Sequence, residues 1–365
     1  MVTPGGAGYD VAIIGAGPAG SALARMIGDK RRVLLIDRRP TAVDSPVSAC
    51  GAGKCCGGLL APDGQKMLAR QGLGLPREVL VGPQLFVVRT LDLRTGRERY
   101  YQRHYINLDR GKLDRWLVSL VPAQVDVRFG CRLESFERRP EGFTLTLSCG
   151  GREYREQSRL LVGADGAGSR VRRLAFPQAP WPKRYLAIQE WFACPQTLPH
   201  FSAIFDRDIT DFYAWTIPKE EGLVVGAALE PGRGAAERFE RLKAKLAVFG
   251  FRFERRLRRH GGWLLRPTST RHICTGQAGI ALIGEAAGWI SPSSAEGISY
   301  AFRSALALAE AVQAGSRDVL AAYRRNTASL RWNIRVKNLK SPFMYNDCLR
   351  DMVLRCGVRS MEVRR

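Results

Sequence analysis

The sequence predicts an α/β protein: a Rossmann-like nucleotide-binding domain with an inserted antiparallel-sheet domain and a helical C-terminal region. Three observations predict it. Glycine-rich turns follow apolar runs near residues 15–20, 163–168 and 284–288, aromatic residues alternate through about 176–270, and an apolar helical pattern runs from Ile298 to Ala314. The length of 365 residues suits about two domains. With 45% hydrophobic and 25% charged residues, the chain can bury enough apolar surface to offset its ordering entropy, which excludes wholesale disorder.

The elements follow in order. Asp10 to Ile14 is an apolar strand, Gly15 to Gly20 turns, Ser21 to Ile27 is helical and Arg32 to Ile36 is a buried strand, together a βαβ unit. Residues 41–64, rich in Gly, Pro, Ser and Cys, read as a long functional loop. Helical patterns follow at Pro62 to Gln71 and Arg110 to Leu120, then strands at Val125 to Phe129, Phe143 to Ser148 and Leu160 to Val162. Tyr185 to Phe192, Phe201 to Phe205, Phe212 to Ile217 and Leu223 to Leu229 read as the antiparallel sheet, with a basic helix at Ala235 to Ala247. Ile280 to Gly284 then returns to the first domain. The expected division is 1–75, 105–175 and 270–320 for the nucleotide domain, 76–104 and 176–269 for the inserted domain, and 321–365 for the basic helical region.

Lys and Arg number 57 against 34 acids, a net charge of +23, which predicts attraction to polyanions or anionic lipid. From Arg324 to Arg365 eleven cations face three acids, interleaved with Leu330, Trp332, Ile334, Val336 and Leu339. That stretch reads either as basic amphipathic helices for a membrane surface or as a solvated face over core helices. No nucleic-acid-binding signature accompanies the charge, so no nucleic acid partner is expected. The longest apolar runs fall far below the roughly 18 residues of a spanning helix, and residues 1–9 lack the basic and apolar regions of a secretion signal. A cytoplasmic location is expected. The nine cysteines, odd in number and irregular in spacing, are expected to be reduced. The cluster of Cys50, Cys55 and Cys56 lacks the spacing of structural zinc, so no metal is expected.

The chemistry lies in the turns. Gly15-Ala16-Gly17-Pro18-Ala19-Gly20 between a strand and a helix brings backbone amides and a helix N-terminus to a pyrophosphate. Asp37, 22 residues after Gly15 and followed by Arg38, suits a carboxylate that accepts hydrogen bonds from an adenosine ribose. These features fit NAD and FAD equally.

The later turns separate the two. Gly163-Ala164-Asp165-Gly166-Ala167-Gly168-Ser169 with Arg172 resembles the "DG" motif of para-hydroxybenzoate hydroxylase-type flavoproteins. Gly284-Glu285-Ala286-Ala287-Gly288, followed by Pro292 and Gly297-Ile298, resembles their second flavin motif, with Glu285 in place of the usual Asp. Lys54-Cys55-Cys56-Gly57-Gly58-Leu59 resembles the K-P-C-G-G motif of geranylgeranyl reductases, with Cys55 replacing Pro. Tyr213-Ala214-Trp215-Thr216-Ile217-Pro218 resembles their Y-x-W-x-F-P motif, with Ile217 replacing Phe. The likeness spans almost the whole chain and is greatest to the bacterial CbrA-like branch. It implies an FAD-binding domain and a substrate domain. By it, Lys54, Cys55 and Gly57 touch the flavin and Cys56 faces the substrate. Arg110, in Arg110-Gly111-Lys112-Leu113-Asp114, reaches the cofactor, Leu133 offers backbone on the adenine side, and Glu285 grips the ribityl chain.

Read on a strand, Tyr213, Trp215 and Ile217 share one face and Phe212, Ala214 and Thr216 the other. The first is an apolar wall, either the sheet's core face or the lining of a channel for a long hydrocarbon; Cys56 is either a small buried hydrophobe or a chemical group. The resemblance implies hydride transfer from flavin N5 to a carbon–carbon double bond of a polyprenyl or other hydrophobic lipid, with a proton from Cys56, Tyr213 or Glu190. NAD(P)H or a ferredoxin would supply electrons, and the basic surface would recruit the enzyme to the inner membrane surface. The competing expectation is a monooxygenase or halogenase, because flavin halogenases carry W-x-W-x-I-P.

Overall fold

The computed structural model describes residues 8–40, 56–194, 198–220 and 222–363. Lys54 and Cys55, with Cys50, lie outside the described residues. The chain divides into two units. The first takes the described residues within Met1–Ala52 together with Leu113–Pro182 and Leu265–Arg335; the second takes those within Gly53–Lys112, Lys183–Leu264 and Val336–Arg365.

The first unit is built on five parallel strands in the order Ile280–Leu282, Arg152–Gly163, Tyr9–Ile14, Val33–Asp37 and Asp126–Phe129. Val33–Asp37 is buried at every position and Tyr9–Ile14 at its last four, the continuous burial of strands covered on both faces. Helices Pro18–Ile27 and Ile298–Gln313 pack on each other, and Pro18 at the first helical turn starts the former without a side-chain cap. Arg152–Gly163 also begins an antiparallel ribbon with Gly142–Cys149 and Cys131–Arg139. At the end of that ribbon Cys131 and Cys149 are register partners, 4.2 Å apart between Cα atoms and joined by a disulfide. This corrects the expectation of nine reduced thiols. Strand pairing brings together two cysteines whose sequence spacing carries no signature.

The second unit is a sheet in the order Arg256–Arg266, Lys183–Ala193, Gly222–Leu229, Ala214–Lys219, His200–Phe205, Leu85–Asp92, Glu98–Asn107 and Leu59–Leu60. From Lys183–Ala193 onward, neighbours run antiparallel apart from the parallel pair His200–Phe205 and Leu85–Asp92. Helix Ala235–Val248 lays Phe239, Leu242 and Leu246 on one face of this sheet, against Ile188, Ile204, Ala214, Val225 and Ala227.

Several boundaries differ from expectation, and residues 176–182 and 265–269 fall in the first unit. Residues 56–75 and 105–112 fall in the second unit, because Leu59 and Leu60 pair with Asn107 and Ile106. The basic region 321–365 is no separate layer. Tyr323 donates from its hydroxyl to Leu282 O (2.9 Å) within the first unit, whereas Arg350 pairs with Asp92 within the second.

Candidate functional site

The first turn uses each glycine differently. A Cβ on Gly15, at φ +109°, would lie 2.6 Å from Ala164 O, and one on Gly20 would lie 1.9 Å from Gly15 O. Both positions therefore exclude a side chain so that strand, helix and the second turn can meet. A Cβ on Gly17 would meet nothing within 4 Å. That open space, at the N-terminus of helix Pro18–Ile27, is where a pyrophosphate can approach backbone amides. Asp37 is buried, and its two oxygens accept four hydrogen bonds: from Ala16 N (2.8 Å), Arg39 N (2.9 Å), Arg39 Nε (3.0 Å) and Arg39 Nη2 (2.9 Å). Burial pushes its carboxyl up, but the hydrogen bonds and charge of Arg39 outweigh that and hold it below the ordinary range. Arg39 also pairs with Asp114 at 3.1 Å. Arg38, expected at the cofactor, is exposed, and its neighbour Arg39 is the arginine that pairs with Asp37. Two adjacent arginines gave no signal of which would turn back.

The second and third turns converge on the first. Ala164 N donates to Ile14 O at 2.8 Å, and a Cβ on Gly284 would lie 3.0 Å from Ala19 Cβ. Asp165 accepts from Ser169 Oγ (2.5 Å), Arg170 N (2.6 Å) and Val171 N (3.2 Å), so its carboxylate fixes the "DG" turn; burial pushes its carboxyl up. Gly166 follows at φ +76° with open space where a Cβ would stand. Glu285 is buried and accepts from Leu265 N at 3.1 Å, and Pro292 O accepts from Arg266 Nε at 3.0 Å. Gly297 caps the helix that Ile298 begins. Arg172 is fully buried and donates to Ala286 O (3.2 Å), Pro180 O (2.8 Å) and His272 O (2.8 Å), with its guanidinium 4.4 Å from the Trp181 ring centroid. Leu133 is a core residue, third in its strand and paired with Leu147.

In the second unit, the strand expected from Phe212 begins at Ala214, which leaves Tyr213 just before it. Tyr213 is half-buried and packs on Trp215 with ring centroids 5.4 Å apart. The register places Trp215 and Ile217 with Gly226, Val224 and Gln189, on the face opposite helix Ala235–Val248. That face is not the sheet's helix-packed core. The Gln189 amide, with its oxygen toward them, accepts from Trp215 Nε1 (3.1 Å) and Gly57 N (3.2 Å). A Cβ on Gly57 would lie 2.3 Å from Ile217 Cδ1, so glycine lets the loop lie on the wall. Lys219 Nζ secures the next residue by donating to Gly58 O (3.2 Å), Leu108 O (2.9 Å) and Asn107 Oδ1. Cys56 is half-buried, its sulfur 3.5 Å from Gly58 N. Arg110 opens helix Arg110–Ser119. Glu190 departs from expectation: it lies on the helix-packed face, fully buried, paired with Lys243 (2.8 Å), Arg256 (3.1 Å) and Arg259 (3.5 Å). It cannot serve a substrate held on the Trp215 face. Gln189, Lys219 and Arg39 brace these loops, and no motif marked them.

The sequence profile of the FAD binding domain family matches residues 8–227. Protein CbrA of Escherichia coli O6:H1 (strain CFT073) is 40% identical over 350 residues, covering 96% of this chain and 94% of the relative. Among solved structures, a geranylgeranyl bacteriochlorophyll reductase-like protein from Thermoplasma acidophilum superposes with a TM-score of 0.79 at 20% identity, covering 94% of this chain and 90% of that one. PqsL of Pseudomonas aeruginosa, a probable FAD-dependent monooxygenase, gives 0.68 at 20% identity, covering 96% and 99%. These structural likenesses show the fold. With an open pyrophosphate approach at Gly17 and three convergent turns, the chain belongs to the FAD binding domain family, in the branch represented by the CbrA proteins.

Proposed function

We propose that this FAD-dependent oxidoreductase reduces carbon–carbon double bonds of a polyprenyl or similar hydrophobic substrate. The observation that carries the reading is the apolar face of Trp215 and Ile217, turned away from the helix-packed core of its own sheet. A face of this kind suits a long hydrocarbon, and Gln189 fixes the Trp215 indole so that the wall keeps its shape. Gly15, Gly17, Pro18, Ala19 and Gly20 hold the pyrophosphate, and Asp165, Gly166, Glu285, Pro292, Gly297 and Ile298 belong to the turns that shape the remainder of the cofactor site. FAD, when bound, supplies the two-electron reducing chemistry, a hydride from N5. Cys56 and Tyr213 are the protic side chains proposed to hold the proton for the second alkene carbon once Glu190 is set aside. NAD(P)H or a ferredoxin is the proposed electron donor, and the basic surface holds the enzyme against anionic lipid.

The test is anaerobic. Protein-bound flavin is reduced chemically and mixed with a polyprenyl lipid in anionic or zwitterionic vesicles, while flavin absorbance and product mass are followed. Reoxidation with a mass gain of two hydrogens, faster from anionic vesicles, is expected. Flavin that stays reduced until oxygen is admitted, with an oxygenated product, would replace this reading by a monooxygenase. The segment Trp215-Thr216-Ile217-Pro218, which also fits the halogenase motif, favours a halogenase as the further alternative on this scaffold.

A further inference from the structure

The Cys131–Cys149 disulfide pins a strand that is tied to two of the three cofactor turns. Just before Cys131, Gly130 N donates to Arg39 O at 2.8 Å, and Arg39 holds Asp37, which accepts from Ala16 N in the first glycine turn. Three residues after Cys131, Glu134 O accepts from Arg170 Nε (3.0 Å) and Nη2 (2.6 Å), and Arg170 N donates to Asp165 in the second turn. The Glu134 carbonyl is turned to a side chain because Glu134 is the extra residue of a β-bulge: Leu133 pairs with Leu147 and Ser135 with Thr146. The bulge sets off a segment of three pairs, Cys131 with Cys149, Arg132 with Ser148 and Leu133 with Leu147, from the rest of the ladder. Both contacts to the cofactor turns leave from the ends of this segment, and the disulfide ties it covalently to the neighbouring strand. Cys131 is buried, whereas Cys149 is half-buried beside the turn Gly150-Gly151, where a Cβ at either glycine would meet open space. Cys149 is therefore the sulfur open to an attacking thiol.

We propose that this disulfide is a redox switch on FAD affinity. Closed, it holds the three-pair segment so that Gly130 braces Arg39 and Glu134 braces Arg170. Open, the segment loosens and both braces weaken. A dithiol reductant performs the opening: one of its thiolates attacks Cys149 Sγ, the bond to Cys131 breaks and Cys131 leaves as a thiolate, and the second reductant thiol then displaces Cys149. Two electrons and two protons pass from the reductant to the two cysteines, and the reductant ends as its own disulfide. Coupling between two such sites is reciprocal, so bound FAD makes the disulfide harder to reduce by the same factor by which reduction weakens FAD. The switch requires FAD binding and is independent of which substrate the enzyme reduces.

The test equilibrates the full chain, without oxygen, in mixtures of oxidised and reduced dithiothreitol. Alkylation and peptide mass spectrometry follow Cys131 and Cys149, flavin fluorescence titration gives FAD affinity, and absorbance checks that the flavin stays oxidised. Opening the pair is expected to weaken FAD binding about fivefold. Saturating FAD should raise, by the same factor, the ratio of reduced to oxidised dithiothreitol at which half of the pair is open. The C131A/C149A variant should bind FAD as weakly as the reduced chain at every ratio. Equal affinity with the pair closed and open, a redox response that persists in C131A/C149A, or free thiols at both positions in the most oxidising mixture would overturn the proposal. The comparison within the unaltered chain needs no variant, so a folding defect cannot hide the answer.

Discussion

At Gly20 an added methyl would strike the Gly15 carbonyl, whereas at Gly17 it would enter open space. Gly17→Ala should therefore leave thermal stability nearly unchanged and weaken FAD binding. Gly20→Ala should cost about 1–3 kcal/mol, because backbone rather than a flexible side chain must shift. Thermal melts and flavin titrations of both variants check this; equal effects on binding and stability would refute the division of labour. Asp37 provides a pH test. Its folded carboxyl lies below its unfolded value, so its stabilisation is present above about pH 4 and lost as pH falls through the folded value. Asp37→Asn should be less stable than the parent at neutral pH, and the two stability curves should converge in acid. The glycine spacing was legible because steric exclusion leaves a mark in sequence, an absent side chain. Arg39 was not, since the turn after Asp37 decides which arginine folds back.

Strands buried along almost their whole length were readable, whereas the partly exposed strand Leu85–Asp92 was missed despite its apolar residues. Val33–Asp37 and Gly222–Leu229 are buried almost throughout and were evident. Glu98–Asn107 and Arg256–Arg266 carry many charged or half-exposed positions, so no alternation announced them. The short strand Leu59–Leu60 exists because Asn107 and Ile106 receive it, and because Lys219 grips the loop at Gly58. Lys219→Met should leave the carbonyls of Gly58 and Leu108 and the Asn107 amide oxygen without this donor. The expected cost is roughly 1–3 kcal/mol in denaturant unfolding, with faster alkylation of Cys56 as the loop loosens. Unchanged alkylation would mean that Gln189 and the strand pairing at Leu59 and Leu60 hold the loop without Lys219.

At the scale of the whole molecule, charge is the property that composition conveyed and position did not. The basic stretch from Arg324 to Arg365 reads in sequence either as amphipathic helices for a membrane surface or as a solvated face over core helices, yet part of its charge is consumed internally. Arg350, 258 residues from its partner, donates from Nε to Asp92 at 2.8 Å and from Nη2 to Asp347 at 2.8 Å, with Asp92 fully buried. No local pattern could foretell a pair so distant in sequence. It settles which unit owns helix Asp347–Cys356, and Arg97 with Asp351 at 2.8 Å repeats the attachment nearby. Arg350→Met would leave the Asp92 carboxylate buried with, among the described residues, only the Arg94 and Thr95 amides as donors. Removing one partner of a buried pair costs about 3–5 kcal/mol, whereas removing both charges costs far less. Asp92→Asn in the Arg350→Met background should therefore restore much of the loss, giving a large coupling in a double-mutant cycle measured by denaturant unfolding. Additive losses would show instead that the C-terminal helix is held by packing, with the ion pair a passenger.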